Sequence, residues 1–202
     1  MIDLLGCLFM CATGLNAIPP PVDQVSADCS APVYASDQLV CGDPELRMLD
    51  DRLRARIDSS PEVSASAWME SHSEWFKRRS LCAFEPAHRQ CLLDAYADRL
   101  NTMGYLSVPA PSGRDAICKA QSHISKVVIY QDASTESVVI LDPLTSTILG
   151  VAVRMHMYQA WKPTLAFRQS GKTLDFAPHD GQGFRCHVTP EQAMGGARST
   201  IG

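Results

Sequence analysis

The chain has 202 residues, 46% of them apolar and 20% charged, with a formal net charge of −4. That balance can build a hydrophobic core and excludes a strongly basic nucleic-acid binder. No run reaches the roughly 18 consecutive apolar residues that a membrane-spanning helix needs.

Residues 4–17, LLGCLFMCATGLNA, are small and apolar almost throughout, and a Pro-rich stretch, IPPPVDQVSADCS, follows. This is the pattern of the apolar core and cleavage region of a secretory signal, so residues 1–17 are expected to be a signal peptide cut near Leu15 and Ala17. No Lys or Arg precedes the apolar run, which a start codon further upstream would explain. Leu4-Leu5-Gly6-Cys7 also has the local shape of a lipid-attachment signal. The expected location is the periplasm or the secreted fraction.

Eight cysteines are present, and Cys7 and Cys11 lie in the expected signal. The remaining six, Cys29, Cys41, Cys82, Cys91, Cys118 and Cys186, are an even number in an exported chain, which implies a disulfide framework. None of the six lies within four residues of another, a spacing that disfavours a zinc site or a dithiol redox centre.

A helical half, residues 18–107, comes first. Asp43 is placed as a helix N-cap, Pro44 as the first helical residue, and Glu45 adds favourable charge in the first turn. Leu46, Leu49, Leu53 and Ile57 mark one apolar face at three- and four-residue steps. Ser59-Ser60-Pro61 ends this helix. A second is predicted over 62–80, with Trp68, His72, Trp75 and Arg79 along one side. A third runs over about 88–103, with Leu92, Tyr96 and Leu100 at i,i+4. The segment before residue 43 is expected to be irregular, so the half is read as a three-helix disulfide-bonded domain.

VPAPSGRD (108–115) reads as a linker. Residues 116–190 then change character. Predicted strands are Ile117–Ala120, Lys126–Tyr130, Ser137–Leu141, Thr147–Met155, Thr164–Arg168, Thr173–Phe176 and Phe184–Val188, separated by DAST, DPLTS, QSG and PHDGQG turns. Short strands without intervening helices predict an antiparallel β-barrel or sandwich. Residues 191–202 are expected to be a flexible tail. The fold class is therefore α+β, in two small domains. Cys118 falls on the first strand and Cys186 on the last, so a bridge between them would tie the ends of the sheet and contribute about 4 kcal/mol. The other four cysteines would pair among themselves, in one of three ways.

The pattern of residues 29–100 resembles the LprI-type lysozyme-inhibitor domain of exported bacterial proteins. The resemblance rests on Cys29, on VCGDPELRMLDDRL (40–53), on W-F-K-R-R-x-L-C (75–82) and on C-L-x-x-x-Y-x-x-R-L (91–100). The family-pattern positions are Cys41, Asp43, Pro44, Glu45, Leu46, Leu49, Asp50, Trp75, Arg79, Cys91, Leu92, Tyr96 and Arg99, and His72 stands where the family has Gln. The second half is similar to the MliC-type domain that blocks C-type lysozymes. Cys118, Phe167-x-x-x-Gly171-x-x-Leu174 and Cys186 carry that likeness, while Arg168 replaces a family Trp and Arg154-Met155-His156-Met157 replaces a polar loop. The resemblances imply an inhibitor that binds and blocks C-type lysozyme. The alternative is an envelope protein–protein interaction module with a different partner.

No G-x-S-x-G, H-E-x-x-H or P-loop is present, and the six histidines are scattered, so no enzyme activity, cofactor or metal site is expected. Asp50 is expected to form a partly buried pair with Arg79 or Arg99, and Trp75 and Tyr96 to be core aromatics. Loops near 154–162 and 178–183 are the expected probes of a glycosidase cleft, whose essential carboxylates Arg154, His156, Tyr158 and Lys162 could meet. Charge is uneven: residues 18–108 carry 14 acidic and 9 basic side chains, and residues 109–202 carry 7 and 9. The acidic half would steer toward a basic protein.

Overall fold

A computed structural model describes residues 24–59, 68–107, 109, 112–119, 126–155 and 160–189. The expected signal (1–17), the tail (191–202), residues 62–67 of the second predicted helix, residues 108, 110 and 111 of the linker, His156 and Tyr158 lie outside the described residues.

Four helices are described: α1 (Ala35–Gly42), α2 (Pro44–Ser59), α3 (His72–Ser80) and α4 (His88–Leu106), with a 3-10 turn at Leu81–Phe84 between the last two. The three-helix expectation thus gains α1, in a segment expected to be irregular. Asp43 explains the α1–α2 corner. Its N–H donates to the Leu39 carbonyl, ending α1. Its Oδ1 accepts from the Glu45 and Leu46 amides at 2.9 and 3.2 Å, starting α2. α3 is shorter than expected. It begins at His72, because Ser71 and Glu74 form a capping box in which each side chain accepts the other's amide. Trp68 is therefore not on that helix.

Seven strands close into a barrel: β1 (Arg114–Lys119), β2 (Lys126–Asp132), β3 (Ser137–Leu141), β4 (Ile148–Arg154), β5 (Leu165–Ser170), β6 (Thr173–Pro178) and β7 (Phe184–Val188). β1 starts inside the stretch read as linker. The order follows the chain, and β7 pairs with β1 to complete the ring. Closure removes exposed sheet edges. The all-antiparallel expectation fails at one place: β4 and β5 run parallel. Parallel neighbours need a connection that returns along the sheet. Here Trp161, which lies between β4 and β5 in the chain, is buried among the helices.

Inward positions alternate along β1 and β7, where Ala116, Cys118, Phe184, Cys186 and Val188 fill the barrel. β3 is buried on both faces. Val138 and Ile140 point into the barrel, while Val139 and Leu141 join Val151 and Tyr105 in an outer cluster beneath the end of α4. Double burial is why β3 reads as an unbroken apolar run.

Three disulfides are present. Cys29–Cys41 anchors the segment before α1, and Cys82–Cys91 ties the 3-10 turn to α4. Cys118–Cys186 joins directly opposed residues of β1 and β7, with Cα atoms 4.0 Å apart.

The two halves exchange tryptophans. Trp68 leaves the helical half to join the barrel core, stacked on Phe184 with ring centroids 4.7 Å apart. Gly150 makes room for it: a Cβ there would stand 2.9 Å from the Trp68 Cβ. Trp161, from the β4–β5 connection, is buried in the helical core. Polar contacts lace the seam. Arg78 holds Glu70 with two nitrogens and donates to the Lys162 carbonyl and the Thr164 hydroxyl. Asn101 donates to Ser137, and Tyr105 donates to Asp132.

Candidate partner-binding site

The family-pattern residues mostly lie inside. Leu46, Trp75, Arg79 and Tyr96 are fully buried, and Asp50 and Arg99 nearly so. Trp75 and Tyr96 meet edge to face at 5.5 Å, as core aromatics. Asp50 does not form the expected ion pair. Its Oδ1 accepts the Tyr96 hydroxyl at 2.7 Å and its Oδ2 accepts the Ala27 amide at 3.0 Å. Burial raises its pKa, partly offset by those donors. Arg79 instead pairs with Asp37 at 2.7 Å, both side chains fully buried, with its guanidinium 4.2 Å from the Phe76 ring centre. Asp37 was missed because it lies in the segment read as irregular. The one sequence hint is an acid placed to sit in a first helical turn.

Arg99 points at His72 Nδ1 from 2.7 Å and donates to the Glu70 carbonyl at 3.2 Å. Burial, then the adjacent guanidinium, push His72 down to about 4. It is neutral at physiological pH, and the ring nitrogen facing Arg99 is the acceptor. These residues position helices and do not form a surface.

The surface is at the seam. A cleft of about 290 Å³ opens between α4 and the barrel, lined by Asp94, Asp98, Asn101, Thr135, Val153 and Trp161 among others. Asp98 is half-buried and accepts the Trp161 indole N–H at 3.0 Å. Burial pushes its carboxyl up to about 6, against the opposing effects of that hydrogen bond and of Arg78. Two acids in one cleft suit a glycosidase only when they flank the scissile bond. Asp94 and Asp98 are one turn apart on one helix, so they share a wall.

A second cleft, of about 150 Å³, is lined by Arg78, Leu81, Glu85, Lys162 and His179 among others, and Trp161 forms a wall of both. Of the expected contact residues, Lys162 reaches this second cleft with an exposed side chain. His179 brings the 178–183 loop to the same place, its amide donating to Thr164. Arg154, at the end of β4, is engaged by Glu136 at 3.2 Å and lies over Phe167. The structure therefore brings Lys162 and the 178–183 loop together and leaves Arg154 in an ion pair. Sequence reading missed the Asp94–Asp98 wall, although their i,i+4 spacing on a predicted helix was the available signal.

Among the described residues, no group of three potential metal ligands occurs and no helix is long and apolar enough to cross a membrane.

These features define a class: an α+β, disulfide-bonded protein in which a helical unit is docked on a closed seven-stranded barrel, with two clefts along the seam. Comparison with curated proteins adds a likeness over part of the chain. The chain is 36% identical over 86 residues to Lipoprotein LprI of Mycobacterium tuberculosis (strain ATCC 25618 / H37Rv) and to the protein of the same name in Mycobacterium bovis (strain ATCC BAA-935 / AF2122/97). The match spans 42% of this chain and 43% of each relative, less than half the length of either. It supports an LprI-type domain in this chain and does not confirm the MliC-type likeness. No family model matches the chain, and no solved structure does.

Proposed function

We propose that the protein is an exported inhibitor that binds and blocks C-type lysozyme, using the seam between its two halves as the contact surface. The reading is carried by the LprI-type pattern of residues 29–100, which resembles a lysozyme-inhibitor domain, and the 36% identity over 86 residues to Lipoprotein LprI supports it. Three disulfides suit an oxidising compartment outside the cytosol. A non-catalytic role suits the site, where the two cleft acids stand on one wall. The β half, on this reading, holds Lys162 and the 178–183 loop against the helical unit, so that both halves contribute to one surface.

The test is titration of a C-type lysozyme with the disulfide-intact protein, with residual muramidase activity as the readout. Activity should fall in proportion to added protein and reach its floor near equimolar addition. Full activity at excess protein would overturn the reading, and capture of a different envelope protein by the same sample would then favour an interaction module.

A further inference from the structure

The cleft between α4 and the barrel combines acids with apolar walls. Asp94 and Asp98 line it, and among the described residues no cation does. Neither acid has an ion-pair partner among the described residues. Among the described residues, Asp94 accepts from Gln90 alone, and Asp98 accepts from Trp161 at Oδ2 and from no donor at Oδ1. The nearby cations have partners outside the cleft: Arg78 stacks on the Trp161 ring at 3.8 Å but is held by Glu70, Lys162 and Thr164, and Arg99 is held by His72 and the Glu70 carbonyl. The rest of the lining is Ala97, Val153, Trp161 and Pro163, apolar surface of the kind that accommodates the methylene stem of a long cationic side chain, with the polar Asn101 and Thr135 beside it. At about 290 Å³ the cleft lies just under the roughly 300–1,000 Å³ of small-molecule sites, a size suited to one side chain.

We propose that this cleft receives an arginine or lysine side chain of the partner protein, its charged head against Asp94 and Asp98 and its stem between Trp161, Val153 and Pro163. The inference rests on the inhibitor reading only for the identity of the partner. The chemistry, a cation entering an acidic cleft with apolar walls, stands on the geometry. Burial has already removed much of the water from Asp98, so a cation there meets a carboxylate with little left to displace. The raised carboxyl of Asp98 reports that burial outweighs the Trp161 hydrogen bond and the charge of Arg78. The helical half's excess of acids would draw a basic partner toward the same side of the molecule.

The experiment uses the full disulfide-bonded chain, labelled with ¹⁵N, and L-arginine amide as the probe. Citrulline amide, which keeps the α-amine but has an uncharged isosteric side chain, is the control. The Trp161 indole N–H, bonded to Asp98, is the reporter. Arginine amide should move this resonance in a saturable way, citrulline amide should not, and Asp94→Asn with Asp98→Asn should abolish the shift. Asp94→Asn alone, at a side chain outside the core, should weaken arginine-amide binding several-fold without altering the fold. An equal response to citrulline amide, or a shift that survives both substitutions, would overturn the proposal. Lysozyme inhibition separates the two claims. Wild-type inhibition that the double variant retains in full would sink the cleft and leave the inhibitor reading standing. A saturable arginine-amide shift in a protein that does not inhibit lysozyme would support the cleft and sink the choice of partner.

Discussion

Replacing Asp98 with Asn should make the protein more stable at neutral pH while weakening its hold on a cation. Burial moves the Asp98 carboxyl from 3.8 to about 6. A displacement of that size penalises the charged form in the folded state by up to about 3 kcal/mol. Asp98 keeps some contact with solvent, so about 1–3 kcal/mol is the appropriate range. The sign follows from proton counting. Between pH 3.8 and about 6 the folded chain holds a proton that the unfolded chain has released. Stability from this group is therefore present below that window, falls as pH rises through it, and stays lost above it. Asn carries no charge at any pH, and its Oδ1 still accepts the Trp161 indole. Asp98→Asn should thus gain its full advantage above about pH 7, a rise in Tm of about 2–10 °C for a chain of this size. The advantage should vanish near pH 4. Urea and thermal unfolding at pH 7.5 and pH 4 measure both limits. A variant no more stable than the parent at pH 7.5, or one whose gain is the same at both pH values, would refute the reasoning. Stability gained together with binding lost is the pattern expected where a residue serves function at a cost to the fold.

Other perturbations probe the frame that holds the cleft. Asp37→Ala leaves Arg79 buried without its carboxylate and should cost about 3–5 kcal/mol in urea unfolding, whereas replacing both partners with apolar residues of similar volume should recover most of that loss. Gly150→Val drives a side chain into Trp68 and its carbonyl, and should cost about 1–3 kcal/mol while shifting the tryptophan fluorescence as Trp68 leaves the barrel. Changing Cys118 and Cys186 together to Ala opens a loop with a sequence separation of 68 and should lower stability by about 4 kcal/mol, read as a lower urea midpoint with the helical disulfides intact.

Much of the fold was legible because its signals are local. The turns after β2, β3, β5 and β6 announce themselves through Asp, Pro, Ser and Gly, and β3 and β7 begin and end where their apolar residues and the turn residues place them. Asp43-Pro44-Glu45 marks the start of α2 through capping alone. The misses have non-local causes. α1 has eight residues, too few for a periodic stripe to stand out, and it is held by the Cys29–Cys41 bridge and the Asp37–Arg79 pair. The parallel β4–β5 pairing leaves no mark on either strand's alternation, because period two is the same in both orientations.

The candidate site divides along the same line. Sequence by itself determined the secondary structure of the barrel, the even set of six cysteines, the LprI-like pattern and the excess of acids in the helical half, since each depends on residues a few positions apart or on counting. Only the tertiary structure decided that Trp68 and Trp161 cross between halves, that Arg79 pairs with Asp37 rather than Asp50, and that Asp94 and Asp98 face a cleft whose other wall is the barrel. Those outcomes depend on which side chains lose water together, and burial of that kind is a property of surfaces brought together from distant parts of the chain.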